Sequence, residues 1–169
     1  MKTKKCSKCR KVRSLVAFCK TKANKDGLSY VCRECSRIKR CDYLQTERGY
    51  LAKRYNDMKR NDKSRPSTVK CYISLDELYA AFEKHKSIYG MRSAWGPGID
   101  YLDQHLPITM IVNGDTNAWT RGDGKRVASN LSIDRLNSNK GYTLQNIIFI
   151  RNDENARKKD TSYEDCKYR

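Results

Sequence analysis

No run of this chain is long and apolar enough to cross a bilayer. Its first residues, MKTKKCSKC, lack the apolar core of a secretory signal. Both absences lead to the expectation of a soluble, cytoplasmic protein with no membrane partner. Acid is scarce beside base: 19 Asp+Glu stand against 36 Lys+Arg, a net charge of +17. So large an excess on so short a chain points to a polyanion partner more than to solubility alone. Histidine is nearly missing, with only His85 and His105, which leaves few ordinary candidates for a general base.

The charge is unevenly spread. Residues 1–65 hold 21 Lys+Arg and 6 Asp+Glu, whereas residues 66–169 hold 15 and 13. The first stretch reads as a general nucleic-acid grip, and the near-neutral remainder as the part that does something else.

Cysteine, by contrast, is plentiful. Eight Cys in a reducing compartment argue for metal binding over a disulfide scaffold. Cys6-x-x-Cys9 and Cys32-x-x-Cys35 are two matched knuckles, four thiolates for one closed, tetrahedral Zn²⁺ site. Between them lie strand-like pieces at Val12–Phe18 and Leu28–Val31 and a turn signal at Lys25-Asp26-Gly27. This is the layout of a zinc ribbon over residues 1–42, held by one structural zinc ion. Cys19 and Cys41 are spare; Cys41 could in principle replace Cys35, but both read as plain thiols.

Arg37, Lys39 and Arg40 follow the second knuckle. From Tyr43 to Asn61 apolar and tyrosine residues recur at helical spacing, with Lys53, Arg54, Lys59 and Arg60 adding positive charge. This helix is either the solvated face of a connector or an element lying along a nucleic-acid groove. Its tyrosines follow the helical period and are expected to pack. The polar stretch 61–68 is the linker candidate, so residues 43–68 read as a basic helix plus linker. Further on, Ser74 and Glu77 form a capping box ahead of Leu75, Leu78, Tyr79 and Phe82, predicting a helix over Leu75–Tyr89 ended by Gly90. Trp95–Gly98 and Asn113-Gly-Asp read as turns, Leu106–Val112 as a segment containing a strand, and Trp119–Lys125 as a loop.

Residues 130–160 read as strand, tight loop, strand, short helix. Leu131 to Leu136 alternates, Asn146–Ile150 is rich in β-formers, and Asn152 or Asp153 can cap a helix to about Lys159. Asp134 near the end of the first strand and Asn155 on the helix are oxygen donors that such a hairpin would bring together. Oxygen donors suit Mg²⁺, which suits phosphodiester chemistry.

These thirty residues resemble the HNH, or ββα-metal (His-Me finger), endonuclease superfamily. The shared pattern is I-D-R, five residues, G-Y-T, two residues, N, eight residues, N-x-x-K. A Cys₄ ribbon followed by a basic helix is similar to the front end of phage-encoded members. The resemblance implies an α+β fold: a small zinc ribbon and basic helix, then a ββα-metal nuclease module over 69–169 with its core at about 130–160. It implies DNA as partner and one Mg²⁺ or Mn²⁺ per module, held by Asp134 and Asn155. Asn146 matches the residue that braces the ββ loop, and Lys158 a lysine near the phosphate. The activity implied is phosphodiester hydrolysis by a homing, nicking, restriction or branched-DNA-resolving enzyme, in the host cytoplasm if phage-encoded. One site per module means that a double-strand cut needs a homodimer or two events.

The sequence departs from the family twice. Arg135 stands where most members have the general-base histidine, and an arginine stays protonated; it can clamp a phosphate. The base then comes from His105, preferred over His85, or from Tyr142, or from water on the metal. The paired CxxC motifs of many relatives are also missing: Arg151 and Glu154 stand before Asn155, and Met91–Ala94 occupies the upstream stretch. The nuclease module is therefore expected to hold together without a second zinc, using packing around Met91–Trp95. The alternative function is a non-catalytic zinc-ribbon nucleic-acid-binding protein whose hairpin is a degenerate scaffold.

Overall fold

The computed structural model describes residues 2–95, 105–112 and 127–159. The chain is α+β, with three two-stranded antiparallel sheets, and divides into two compact units, Met1–Tyr43 and Leu44–Arg169. Among the described residues no helix is long and apolar enough to cross a membrane.

In the first unit β1 (Thr3–Lys5) pairs with β2 (Val12–Ser14), and β3 (Phe18–Lys20) pairs with β4 (Leu28–Cys32). A 3-10 turn at Leu15–Ala17 divides β2 from β3, so the strand expected across Val12–Phe18 is broken in its middle. The chain reverses at Gly27, whose φ of 69° costs a glycine little. Helix α1 (Arg33–Gln45) follows. The buried apolar set is Cys6, Phe18, Cys32 and Cys35, with Cys9, Ala17, Leu28 and Val31 against it. A core of that size cannot offset the entropy of ordering some forty residues. The cysteines must contribute more than packing.

The helix expected from Tyr43 is split. Thr46 is extended (φ −77°, ψ 151°) and its hydroxyl accepts the Gly49 N–H at 3.1 Å, so α2 runs Glu47–Asn61. The polar stretch 61–68 does not hang loose; it folds as 3-10 turns at Asp62–Ser64 and Ser67–Val69 within the second unit. Helix α3 spans Leu75–Tyr89, as its pattern predicts. Ser74 Oγ accepts the Glu77 N–H at 3.2 Å, and Glu77 Oε2 accepts the Ser74 N–H at 2.7 Å. Gly90, at φ 62°, ends it.

The hairpin pairs β5 (Leu131–Arg135) with β6 (Ile147–Arg151) in continuous register from Leu131↔Arg151 to Arg135↔Ile147. Helix α4 (Asn152–Lys158) leaves directly from β6. Its N-cap position is Arg151, neither Asn152 nor Asp153. Asn152 cannot cap because its Oδ1 accepts from Arg54 at 2.8 Å and its amide donates to Val127 O at 3.0 Å. The core of this unit joins Tyr50, Leu51 and Met58 of α2, Leu78 and Phe82 of α3, and Leu131, Ile133 and Phe149 of the hairpin. Tyr50 is buried by packing, as its helical period predicts; its hydroxyl donates to Leu131 O at 3.0 Å, and burial raises its pKa.

The segment Leu106–Val112 holds no strand of its own, only single bridges, Arg92↔Pro107 and Thr109↔Asn130. Its expected partner edges are taken one residue at a time. The glycines and proline of the Trp95–Gly98 turn, the Asn113-Gly-Asp turn and the Trp119–Lys125 loop lie outside the described residues.

Candidate functional site

The four sulfurs of Cys6, Cys9, Cys32 and Cys35 all lie within 4.8 Å of one another, and none is in a disulfide. Tetrahedral zinc at roughly 2.3 Å from each sulfur needs sulfurs about 3.8 Å apart, so the cluster fits Zn²⁺ with small adjustments. Backbone N–H groups of Cys32 and Cys9 aimed at the Cys6 sulfur lower its pKa to about 6. Burial, then hydrogen bonding to Cys32 and the other two thiols, pushes Cys35 up to about 12. Four thiols so placed cannot all ionise unless a cation joins them.

In the hairpin the sequence places two polar side chains on one face of β5, Ser132 and Asp134, and two on the facing side of α4, Asn155 and Lys158. They meet as two parallel rungs. Asn155 Nδ2 donates to Ser132 Oγ at 2.8 Å, and Lys158 Nζ sits 2.9 Å from Asp134 Oδ2. The Lys158 side chain is fully buried and that of Asp134 is 11% exposed. The ammonium compensates the carboxylate's charge, yet Asp134 Oδ2 forms no hydrogen bond of acceptable geometry. Asp134 and Asn155 thus lie in neighbouring rungs of the same seam. The donor set is hard: a buried carboxylate oxygen short of hydrogen bonds, and an amide oxygen left over once its nitrogen is bound to Ser132. Such a set fits Mg²⁺ or Mn²⁺.

Asn146, buried just before β6, closes the loop between the strands. Its Oδ1 accepts the Asn137 N–H at 2.8 Å; its amide donates to Gly141 O at 2.8 Å and to Asn137 O at 3.1 Å. Arg135 turns back onto the same loop, donating through Nη1 to Ser138 O at 2.7 Å and Lys140 O at 3.2 Å. Its guanidinium lies 5.2 Å from the Tyr142 ring centroid. Lys158 Nζ reaches the loop too, at Ser138 Oγ, 3.2 Å away.

His105 stands on the segment that bonds both to 91–93 (Ser93 N–H to Leu106 O, 2.8 Å) and to the start of β5 (Leu131 N–H to Thr109 O, 2.9 Å). Its Nδ1 is 2.7 Å from Ser93 O. His85 is buried, stacked on Phe82 and 2.8 Å from Arg92 O, and burial lowers its pKa. Tyr142 is also buried, at the loop's end.

Between the 91–95 segment and α4 the chain has a hydrogen bond. Ser93, fully buried, donates to Glu154 Oε2 at 2.5 Å, and that same oxygen accepts the Arg151 N–H at 2.8 Å. The expectation of apolar packing around Met91–Trp95 is therefore met by a polar clasp, while Met91 is 40% exposed.

The basic candidates divide by location. In the first unit Lys39 and Arg40 are exposed, and Arg37 pairs with Glu34 at 3.1 Å. In the second unit Arg54 turns inward, binding Leu131 O and Asn152 Oδ1 and so tying α2 to the hairpin. Lys53 pairs with Asp57 at 2.5 Å, Arg60 with Asp57 at 2.8 Å, and Lys59 donates to Cys71 O at 2.6 Å. Sequence reasoning missed Arg54's internal role, Asn130, Asn152 and the Ser93–Glu154 clasp. Asn130 is fully buried; its Oδ1 accepts from Ile111 N–H and Thr109 Oγ1, and its amide donates to Ile111 O at 2.7 Å. The repeated asparagines of the hairpin were the available signal.

Two cavities flank these elements. A groove of about 640 Å³ runs between α3 and β6 and is mostly apolar, with Ala81, Ile88, Leu144 and Ile147 on its walls. A polar cleft of about 200 Å³ between α2 and the hairpin includes Ser132 and Asn155, one of the two rungs.

No protein-family model matches the chain, and no curated protein matches it. A solved structure of PacI, a rare-cutting HNH restriction endonuclease described as exhibiting an extraordinary mechanism of DNA perturbation, is similar to it. The identity is 17%, over 98% of this chain and 89% of that one, with a TM-score of 0.36.

Proposed function

We propose that this protein is a metal-dependent DNA endonuclease of HNH type, with Asp134 and Asn155 holding one Mg²⁺ or Mn²⁺. The observation that carries the reading is the Asp134 carboxylate: buried on the hairpin, short of hydrogen bonds, and one rung from an amide oxygen on α4. The Lys158 ammonium 2.9 Å away balances its charge but leaves Oδ2 without a well-formed hydrogen bond, so that oxygen can exchange the ammonium for a metal ion. When bound, the divalent ion supplies charge stabilisation at a phosphodiester.

The chain's own groups supply the rest. Asn146 fixes the strand-to-strand loop and with it the position of Asp134. Lys158 Nζ lies 2.9 Å from Asp134 Oδ2 and 3.2 Å from Ser138 Oγ; Asp134 and Asn155 would hold the divalent ion, and Lys158 would give a phosphate a cationic contact. Arg135, protonated and bound to the loop carbonyls, orients the loop and cannot take a proton from water. The candidates for proton acceptor are His105, on the segment bridged to Asn130, and Tyr142, at the cleft beside Arg135. Lys39 and Arg40 on α1 are the exposed cations for general DNA contact, and the four-Cys cluster, filled by zinc, keeps the unit that carries them folded.

A plasmid-nicking assay tests this. Expected is cleavage with Mg²⁺ or Mn²⁺, abolished by chelator and lost in Asp134→Asn, with folding of the variant checked by circular dichroism. Tight DNA binding without cleavage under any divalent ion would instead establish the non-catalytic binding protein, which the ammonium seated on Asp134 already favours as the second reading.

A further inference from the structure

We propose that the polar cleft between α2 and the hairpin seats a second phosphate of the nucleic-acid strand, next to the one being cut, and that Arg65 is its ligand. The inference rests on the endonuclease reading for the identity of the polymer.

The cleft's volume, about 200 Å³, is below the roughly 300–1,000 Å³ of sites for drug-sized ligands. It suits a small polar group rather than a base. Its walls include Asn61, Ser132, Tyr142, Asn155 and two guanidinium groups. The single acid there, Asp57, is already paired with Lys53 and Arg60, so an anion entering the cleft meets little repulsion. Of the two arginines, Arg54 is committed to Leu131 O and Asn152 Oδ1.

Arg65 is not so committed. Its polar contacts among the described residues are both long and both through Nη1: Met58 O at 3.4 Å and Asp62 Oδ1 at 3.5 Å. Asp62 in turn spends both carboxylate oxygens on the Cys71 N–H, at 3.1 Å each. That leaves Nε and Nη2 of Arg65 as donors on a side chain 23% exposed. The group is nonetheless held in orientation. Its Cζ lies 5.2 Å from the Tyr142 ring centroid, and Arg135 Cζ lies at the same distance from that ring. Arg135 is anchored by Ser138 O and Lys140 O, which fixes one of the two guanidinium groups that share the ring; the other, Arg65, lines the cleft. A planar fork with two open N–H groups is the geometry that recognises a phosphate bidentately. Ser132 and Asn155 border the cleft and form the rung beside Asp134. A phosphate seated there is therefore adjacent, along one strand, to a phosphate at the metal pair.

The test is duplex DNA binding by the full zinc-loaded chain across a salt series, with Ca²⁺ replacing Mg²⁺ to suppress cutting. Arg65→Gln is expected to weaken binding about tenfold at low salt and to reduce the slope of log K against log salt by about 0.9, one phosphate contact. Arg65→Lys keeps the charge and so the slope, but loses the fork and the stack, and binds less tightly than wild type. If a folded Arg65→Gln shows unchanged affinity and slope, the proposal is overturned. Should Arg65→Gln fail to fold, an Arg65→Lys variant with wild-type affinity overturns it. Cleavage assayed in parallel with Mg²⁺ separates the two ideas. An Arg65-dependent slope without any cleavage keeps the seat and removes the nuclease. Cleavage with no Arg65 effect keeps the nuclease and removes the seat. A wild-type protein that does not bind DNA removes both.

Discussion

Asn146 makes three hydrogen bonds to the loop it closes, to Asn137 N–H, Asn137 O and Gly141 O. Replacing it by alanine removes these partners from Asn137 N–H and from the buried Gly141 O, while Asn137 O keeps the Lys140 N–H. Asn146→Ala is expected to cost about 2–4 kcal/mol in urea unfolding and to reduce metal affinity, because the loop positions Asp134. A second residue-scale effect belongs to His85. Burial is the main reason its imidazole sits below the ordinary value of 6.5, with Arg92 O opposing and the nearby His105 adding a little. The folded state therefore favours the neutral ring. Above pH 6.5 the ring is neutral folded or unfolded and stability is intact; as pH falls below that value the unfolded chain takes the proton first and stability drops. The urea midpoint is expected to be flat above about pH 6.5 and to decline toward about pH 5. In His85→Gln part of that decline should disappear; an unchanged profile would assign the titration elsewhere. Asp134 and Asn155 were legible as oxygen donors that a hairpin would bring together, whereas Asn146 and Lys158 were singled out only through the resemblance of residues 130–160. What each touches was not legible, since the Lys158–Asp134 and Asn155–Ser132 rungs depend on how α4 crosses β5.

At the scale of elements, the Ser74–Glu77 box and Gly90 marked α3 to the residue, because both ends carry local chemistry. The end of α1 and start of α2 were harder. Thr46 is a good cap, yet it sits inside an unbroken helical period, and only the structure shows the chain turning there. The loop entering β6 has a similar dependence. Gly141 packs so tightly on Lys70 O and the Tyr72 ring that a Cβ would overlap both. The close approach follows from a bridge in which Tyr142 N–H donates to Lys70 O at 2.9 Å and Tyr72 N–H donates to Tyr142 O at 3.0 Å. Gly141→Ala must push the two segments apart, and a loss of about 1–3 kcal/mol in thermal or urea unfolding is expected; a gain would mean that the segments separate at no cost. The strand expected in Leu106–Val112 fails for the opposite reason. Its apolar run is long enough, but its neighbours offer one hydrogen-bonding residue at a time.

For the whole molecule, the two units rest on different forces. The first has a core cluster of only four buried residues, all but Phe18 cysteines, and its order should depend on metal. Chelation, or Cys6→Ser, is expected to abolish its structure and release one zinc per chain, while the second unit keeps a cooperative transition of its own. A single transition lost entirely on chelation would show that the second unit leans on the metal as well. The sequence by itself determined the four-Cys site, the helix α3, the ββα order of residues 131–158 and the basic bias of the chain. These are written in spacing, capping and composition, which act between near neighbours. Tertiary structure alone decided that Arg54 serves the hairpin rather than solvent, that Ser93 and Glu154 clasp the segments flanking β6, that His105 meets Ser93 O, and that Arg65 shares a ring with Arg135. Each of those facts joins residues far apart in the chain, and whether a charge is spent inside the protein or offered to a ligand is settled only by which distant partner the fold brings to it.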